Sequence, residues 1–102
     1  MMIGNFDFNR DGTFIVAELS ANHGGKIEIA KESIKAAKEI GADAIKLQTY
    51  RADTITLDSD SEDFTIKGGT LWDDKKLYSL YEEAFLPWEW HEELFRYARE
   101  IG

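Results

Sequence analysis

Two short apolar runs end in side chains able to do proton-transfer or electrostatic work. Thr13–Leu19 (TFIVAEL) carries Glu18 and is followed by Ser20, Asn22 and His23. Ala42–Thr49 (ADAIKLQT) carries Lys46 and Gln48 and is followed by Tyr50. A carboxylate accepts or steers a proton, and an ammonium is a point-charge partner for an anion. A Lys and a Gln inside a strand are costly unless they meet partners or a ligand. Two readings follow. Either Glu18 and Lys46 line a ligand site together, or they satisfy each other as an ion pair.

Glu18 also closes a second pattern. Asp7-Phe8-Asn9-Arg10-Asp11-Gly12, then five residues, then Glu18 matches a calcium loop in full. The context opposes it. An EF-hand needs a helix on either side, yet few residues precede Asp7, and the β-branched FIVA run leads to Gly24-Gly25 where the exiting helix belongs. Asn9-Arg10-Asp11-Gly12 reads instead as a turn, with Ile3–Leu19 as a β-hairpin around it.

These candidates must be positioned by the elements around them. After Asn22-His23-Gly24-Gly25, Lys26–Ile40 is predicted as an amphipathic helix, with Ile27, Ala30, Ile34 and Ala37 at helical spacing. Glu28–Lys31 and Glu32–Lys35 are favourable pairs on its polar face, and Gly41 suits a left-handed cap. Strand, helix, short turn, strand makes a βαβ unit with parallel strands. Alternation puts Ile45 and Leu47 on one face and Ala44, Lys46 and Gln48 on the other. With Ile15 and Ala17 facing the helices, Glu18 shares the opposite face with Val16. Carboxyl ends of parallel strands are where sites form in α/β folds.

Tyr50–Thr70 reads as a polar loop of about 20 residues, a length that tends to be functional. Helices are predicted over Trp72–Phe85 and from Pro87 to Ile101, the second with His91, Leu94, Phe95, Ala98 and Ile101 in one stripe. His91 is expected to be packed, and Asn22 and His23 to structure their loop. Most aromatics read as helix-to-sheet packing, with Trp72 and Trp90 as candidates for a substrate mouth. Asp58, Asp60, Glu62 and Asp63 read as a solvated loop.

Composition narrows the function classes. The 102 residues carry 12 basic and 20 acidic side chains and a net charge of −8, which opposes nucleic-acid or anionic-membrane partners. No cysteine is present, so disulfides and thiol chemistry are excluded. No apolar run reaches the ~20 residues of a membrane span, and no basic-then-apolar leader is visible; a cytoplasmic location is the expectation. Two parallel strands with helices on one side close no barrel, and a (β/α)₈ barrel needs about 250 residues. The chain therefore reads as α/β, a β-hairpin and two βα units over residues 1–102 that look like the first quarter of a larger α/β protein.

FIVAELSANHGG, then GADAIKLQTY, then LWDDKKLYSLYEEAFLPWEWHEELFRYA resemble the N-terminal part of the sialic acid synthase family over nearly the whole chain. The A-E-x-x-x-N-H-x-G and K-x-Q-T motifs carry the resemblance, and the loop and LWDD…PWEWH segments are similar to the pseudaminic acid branch. The resemblance implies an enzyme that condenses phosphoenolpyruvate with an amino sugar, here a 2,4-diacetamido-2,4,6-trideoxy hexose. The alternative within the family is an N-acetylneuraminate or legionaminate synthase. It implies catalytic roles for Glu18, which orients or deprotonates an attacking water, and for Lys46, a ligand of phosphoenolpyruvate, with Gln48 facing the sugar. It further implies a divalent metal, usually manganese, held by residues outside this chain. It implies as well that residues 1–102 are the N-terminal portion of a (β/α)₈ TIM barrel, and that the full enzyme has a C-terminal antifreeze-like domain and is a homodimer. The chain alone is then expected to lack activity and to self-associate. A non-catalytic interaction module is the reading from another class.

Overall fold

The structure is a computed structural model that describes residues 1–102. Gly4, at φ +57, turns the chain tightly enough to pair β1 (Met2–Ile3) with β2 (Phe6–Asp7), Ile3 lying opposite Phe6. A glycine with positive φ at the first turn position suits a two-residue hairpin. This corrects the expectation of a hairpin spanning Ile3–Leu19. Gly12 does take positive φ, +88, but the turn it ends only redirects the chain. Phe14 then packs edge-on against Phe6, ring centroids 5.0 Å apart, and the segment beyond joins a different sheet.

That second sheet holds the βαβ unit. β3 (Val16–Glu18) and β4 (Ala44–Lys46) run parallel, with Val16 beside Ala44, Ala17 beside Ile45 and Glu18 beside Lys46. Both strands are shorter than their apolar runs. Between them α1 spans Ile27–Glu39. Its end is a Schellman motif: Gly41 N–H bonds to the Lys38 carbonyl and Ala42 N–H to that of Ala37. Gly41 sits at φ +95, the conformation that makes the two-residue return to β4 possible.

α2 (Ala52–Ile55) and a 3₁₀ turn (Glu62–Phe64) break up the segment expected to be one structureless loop. α3 covers Leu77–Ala84, five residues short at its start of the expected Trp72–Phe85. Asp73 explains the difference. Its carboxylate accepts from the Gly69 and Thr70 N–H groups and the Thr70 hydroxyl. Asp74 then takes φ +66 and donates to the Ile66 carbonyl. Short polar side chains that bond nearby backbone compete with a helix in this way. A 3₁₀ turn at Trp88–Trp90 leads into α4 (His91–Ile101).

The core lies between the sheet and helices α1 and α4. Leu19, Ala30, Ile34, Leu86 and Leu94 form its buried cluster, with Ile45, Leu47, Trp90, Tyr97, Ala98 and Ile101 packed against it. Leu19, Ile45 and Leu47 thus face the helices, as alternation requires. Ile15 does not; it is exposed, and its backbone is tied by Asp43, whose carboxylate accepts from Ile15 N–H at 2.8 Å. Phe95 lies at the exposed edge of the α4 stripe. Lys31 pairs across the helices with Glu93, and Lys35 with Glu39, in place of the expected Glu28–Lys31 and Glu32–Lys35 pairs. No helix is long and apolar enough to cross a membrane. The result is a mixed α/β chain with two small sheets.

Candidate functional site

Pairing in register brings Glu18 and Lys46 side by side on the face of the sheet that no helix covers. One Glu18 carboxylate oxygen accepts from Lys46 Nζ at 2.7 Å and the other from Gln48 Nε2 at 2.7 Å. Gln48 Oε1 in turn accepts from the Ser20 hydroxyl at 3.3 Å. Ser20 holds φ +52, a conformation of some cost for a residue with a side chain, and such strain concentrates at functional sites. Four side chains from the carboxyl ends of two parallel strands therefore form one polar chain.

The ion-pair reading of Glu18 and Lys46 is thus correct in geometry, and it does not exclude the ligand reading. The pair is open to solvent, with 57% of the Lys46 side chain and 39% of that of Glu18 accessible. An exposed pair contributes about 1 kcal/mol or less to folding. An ammonium has three donors, and Glu18 takes one. An anion arriving on this face would find a cation already aimed by a carboxylate, and a water there would find a carboxylate to accept its proton.

The calcium-loop reading fails on the same geometry. Asp7 and Asp11 close their own turn: Asp11 Oδ2 accepts from Asp7 N–H at 2.8 Å and Asp7 Oδ1 from Asn9 N–H at 3.0 Å. Arg10 beside Asp11 holds that carboxyl below the usual range. Glu18 is committed to Lys46 and Gln48, on the other sheet. No group of three or more His, Asp or Glu side chains converges to hold a metal ion.

His23 and Asn22 structure their loop as expected. His23 is 1% exposed, accepts from Gly25 N–H at its Nδ1 (3.0 Å) and meets the Trp90 ring edge-on. Asn22 donates to the Leu19 carbonyl. Trp90 is half-buried packing and no rim residue, because His23 and the core claim it. Trp72 sits on the exposed turn before α3. The acidic run is anchored and not simply solvated: Lys76 pairs with Asp58 and Asp60, each at 2.8 Å, which raises its pKa, and Lys67 with Glu62.

A second cluster at the end of β4 has no counterpart in the sequence reading. The Trp88 indole N–H donates to the Tyr50 carbonyl at 3.0 Å. His91 Nδ1 lies 3.1 Å from the Trp88 carbonyl, and its Nε2 lies 2.6 Å from the Thr49 hydroxyl. A carbonyl only accepts, so Nδ1 carries a proton and donates to it. His91 is therefore half-buried and doubly bonded, not merely packed. The Arg51 guanidinium lies over the Trp88 ring, 4.4 Å from its centroid. The available signal was Tyr50-Arg51 directly after K-x-Q-T and aromatic residues directly after Pro87; only the fold joins them.

Comparison with known proteins bears on this arrangement. The chain is 60% identical over all its 102 residues to pseudaminic acid synthase from Campylobacter jejuni, of which it covers 29%. It is 55% identical over 87 residues, 85% of the chain, to pseudaminic acid synthase from Helicobacter pylori, of which it covers 25%. It is 57% identical over 42 residues, 41% of the chain, to N,N'-diacetyllegionaminic acid synthase from Legionella pneumophila, of which that stretch covers 12%. The chain thus spans less than a third of the length of these relatives. Residues 33–102 match the NeuB family. That match contains the positions of Lys46 and Gln48 of the polar chain, and the stretch matched to the Campylobacter enzyme includes the positions of Glu18 and Ser20 as well. The chain belongs to the NeuB family, the sialic acid synthase family its motifs resemble.

Proposed function

We propose that this chain is the N-terminal part of a pseudaminic acid synthase. The full enzyme condenses phosphoenolpyruvate with a 2,4-diacetamido-2,4,6-trideoxy hexose, in a (β/α)₈ barrel whose first two parallel strands are β3 and β4. The observation that carries the reading is the Glu18–Lys46–Gln48 chain on the uncovered face, at the strand ends where α/β folds place their sites. Lys46 supplies the point charge for the phosphoenolpyruvate anion. Glu18 orients a water and takes its proton, and it keeps the ammonium aimed while the anion is absent. Gln48 presents its amide to the sugar. The identity to the Campylobacter and Helicobacter synthases along most of the chain favours this sugar over a neuraminate or legionaminate precursor.

The divalent metal, manganese, is placed by this reading in the remaining length of the enzyme. The side chains present do not form a site for it, and no step here runs through it. The same reading places the enzyme in the cytoplasm as a homodimer.

A chimera tests the proposal. Residues 1–102 replace the matching segment of the Campylobacter synthase, and phosphate release from phosphoenolpyruvate is followed with the diacetamido sugar and manganese. Activity is expected, with loss in Lys46→Met and Glu18→Gln. Full activity in the Lys46→Met chimera would overturn the site assignment. The isolated chain should release no phosphate above background, and turnover by it would end the reading of it as a part.

A further inference from the structure

In this acidic chain most basic side chains are held by a carboxylate, as Lys31, Lys35, Lys46, Lys67, Lys75 and Lys76 show. Arg51 forms no such ion pair. It is nevertheless held in place. Its guanidinium lies over Trp88, and that indole is fixed through its N–H to the Tyr50 carbonyl, the residue next to Arg51. The Trp88 carbonyl is fixed in turn by His91, which also holds Thr49. Both neighbours of Tyr50 are thus clamped to the turn that opens α4.

A guanidinium is planar and has five N–H donors arranged as a fork that fits carboxylate and phosphate oxygens two at a time. A cation held over an indole face gains about 0.5–1 kcal/mol at an exposed site, and it pays less conformational entropy when it binds. Arg51 stands three residues beyond Gln48, so their Cα atoms are within about 11 Å of each other. The Arg51 fork is therefore a cation without an ion-pair partner, pre-oriented by Trp88 and close along the chain to the strand end that carries Lys46 and Gln48.

We propose that Arg51, held on Trp88, is a binding residue for an oxyanion group of a small substrate, either a phosphate or a carboxylate. The identity of that substrate as phosphoenolpyruvate rests on the synthase reading. The neutral amino sugar offers no such group, so Arg51 and Lys46 offer two cations to one anionic substrate.

The test is an NMR titration of the chimera that carries residues 1–102 in place of the matching segment of the Campylobacter synthase, reading the Arg51 Nε–H and the Trp88 indole N–H. Phosphoenolpyruvate, inorganic phosphate and pyruvate are added at matched ionic strength, with potassium chloride as reference. Saturable shifts of both signals with phosphoenolpyruvate are expected. Phosphate and pyruvate show which end of the molecule is taken. Arg51→Gln should abolish the Trp88 response. Arg51→Lys keeps the charge without the fork and should weaken it, and it serves alone if the Gln variant does not fold. Shifts no larger than with chloride, or equal saturation in the Lys variant, would overturn the proposal. The Gln48 side-chain amide reports the synthase reading separately. Saturation at Arg51 with none at Gln48 sinks the Lys46 assignment and leaves Arg51 standing; the reverse sinks Arg51 alone.

Discussion

Glu18 and Lys46 are bonded to each other in the open, and that combination separates stability from function. Because both are well exposed, Lys46→Met or Glu18→Gln should change unfolding free energy by about 1 kcal/mol or less in urea. A loss of several kcal/mol would show that the pair holds the sheet together and would remove the case for a ligand role. Asp73 behaves differently. Its bonds from the Thr70 and Gly69 N–H groups and the Thr70 hydroxyl lower its pKa below the ordinary 3.8. A lowered folded pKa means that its contribution is complete above the ordinary value and disappears as pH falls through the folded one. The Gly69 and Thr70 amide resonances should therefore titrate together at a pH below 3.8. Titration at or above that value would refute the assignment. At this scale the sequence already named Glu18, Lys46 and Gln48, since alternation alone puts them on one face. It read Trp88 only as packing and did not name Arg51, and their contact joins residues 37 positions apart.

Among the elements, α1 supplies three buried residues, Ala30, Ile34 and Ala37, and α4 docks on it through one, Leu94. Leu94 is fully buried against the α1 side of the core, at 0% exposure. Leu94→Ala removes that packing and leaves a cavity, a change that costs about 2–5 kcal/mol. That is a large fraction of the usual total for a domain, so in the chimeric synthase that carries residues 1–102 the variant should lower the urea midpoint strongly. An unchanged midpoint would mean that α4 is not docked on α1. The βαβ unit and α4 were legible because their periodicities are strong and Gly41 and Pro87 punctuate them. The start of α3 was not. Helical propensity over 72–76 loses to Asp73, whose carboxylate meets three donors only once residues 69–73 have folded back.

The whole molecule is elongated. Its radius of gyration is 16.7 Å and its extents are 50 × 28 × 24 Å, whereas a compact domain of about 100 residues has a radius near 13 Å. Only eight residues are buried. β3 and β4 have free outer edges and an uncovered face, and open edges template further pairing. Exposed Val16, Leu57, Leu71 and Trp72 add apolar surface, Leu71 being 95% accessible. We expect the isolated chain to be an oligomer or a partly unfolded monomer, as light scattering and a near-UV dichroism melt would show. A monodisperse 11.7 kDa species with a sharp melt would overturn that expectation.

What the sequence by itself determined is local. Alternation and helical spacing specify which faces are apolar, and they place Glu18, Lys46 and Gln48 together because side-chain direction follows from strand geometry. Gly41 and Pro87 mark turns because glycine tolerates positive φ at least cost and proline imposes a fixed φ. What only the tertiary structure decided is which polar groups find each other. Glu18 was claimed by a strand-end site and also by a calcium loop that its context opposes, and parallel pairing with β4, 28 residues on, places it in the first. Gly4 and not Gly12 makes the hairpin, because β2 pairs with β1 and β3 with β4. The clamp of Thr49, Tyr50 and Arg51 on Trp88 and His91 likewise exists only after α4 packs, since no spacing rule links a strand end to a distant helix start.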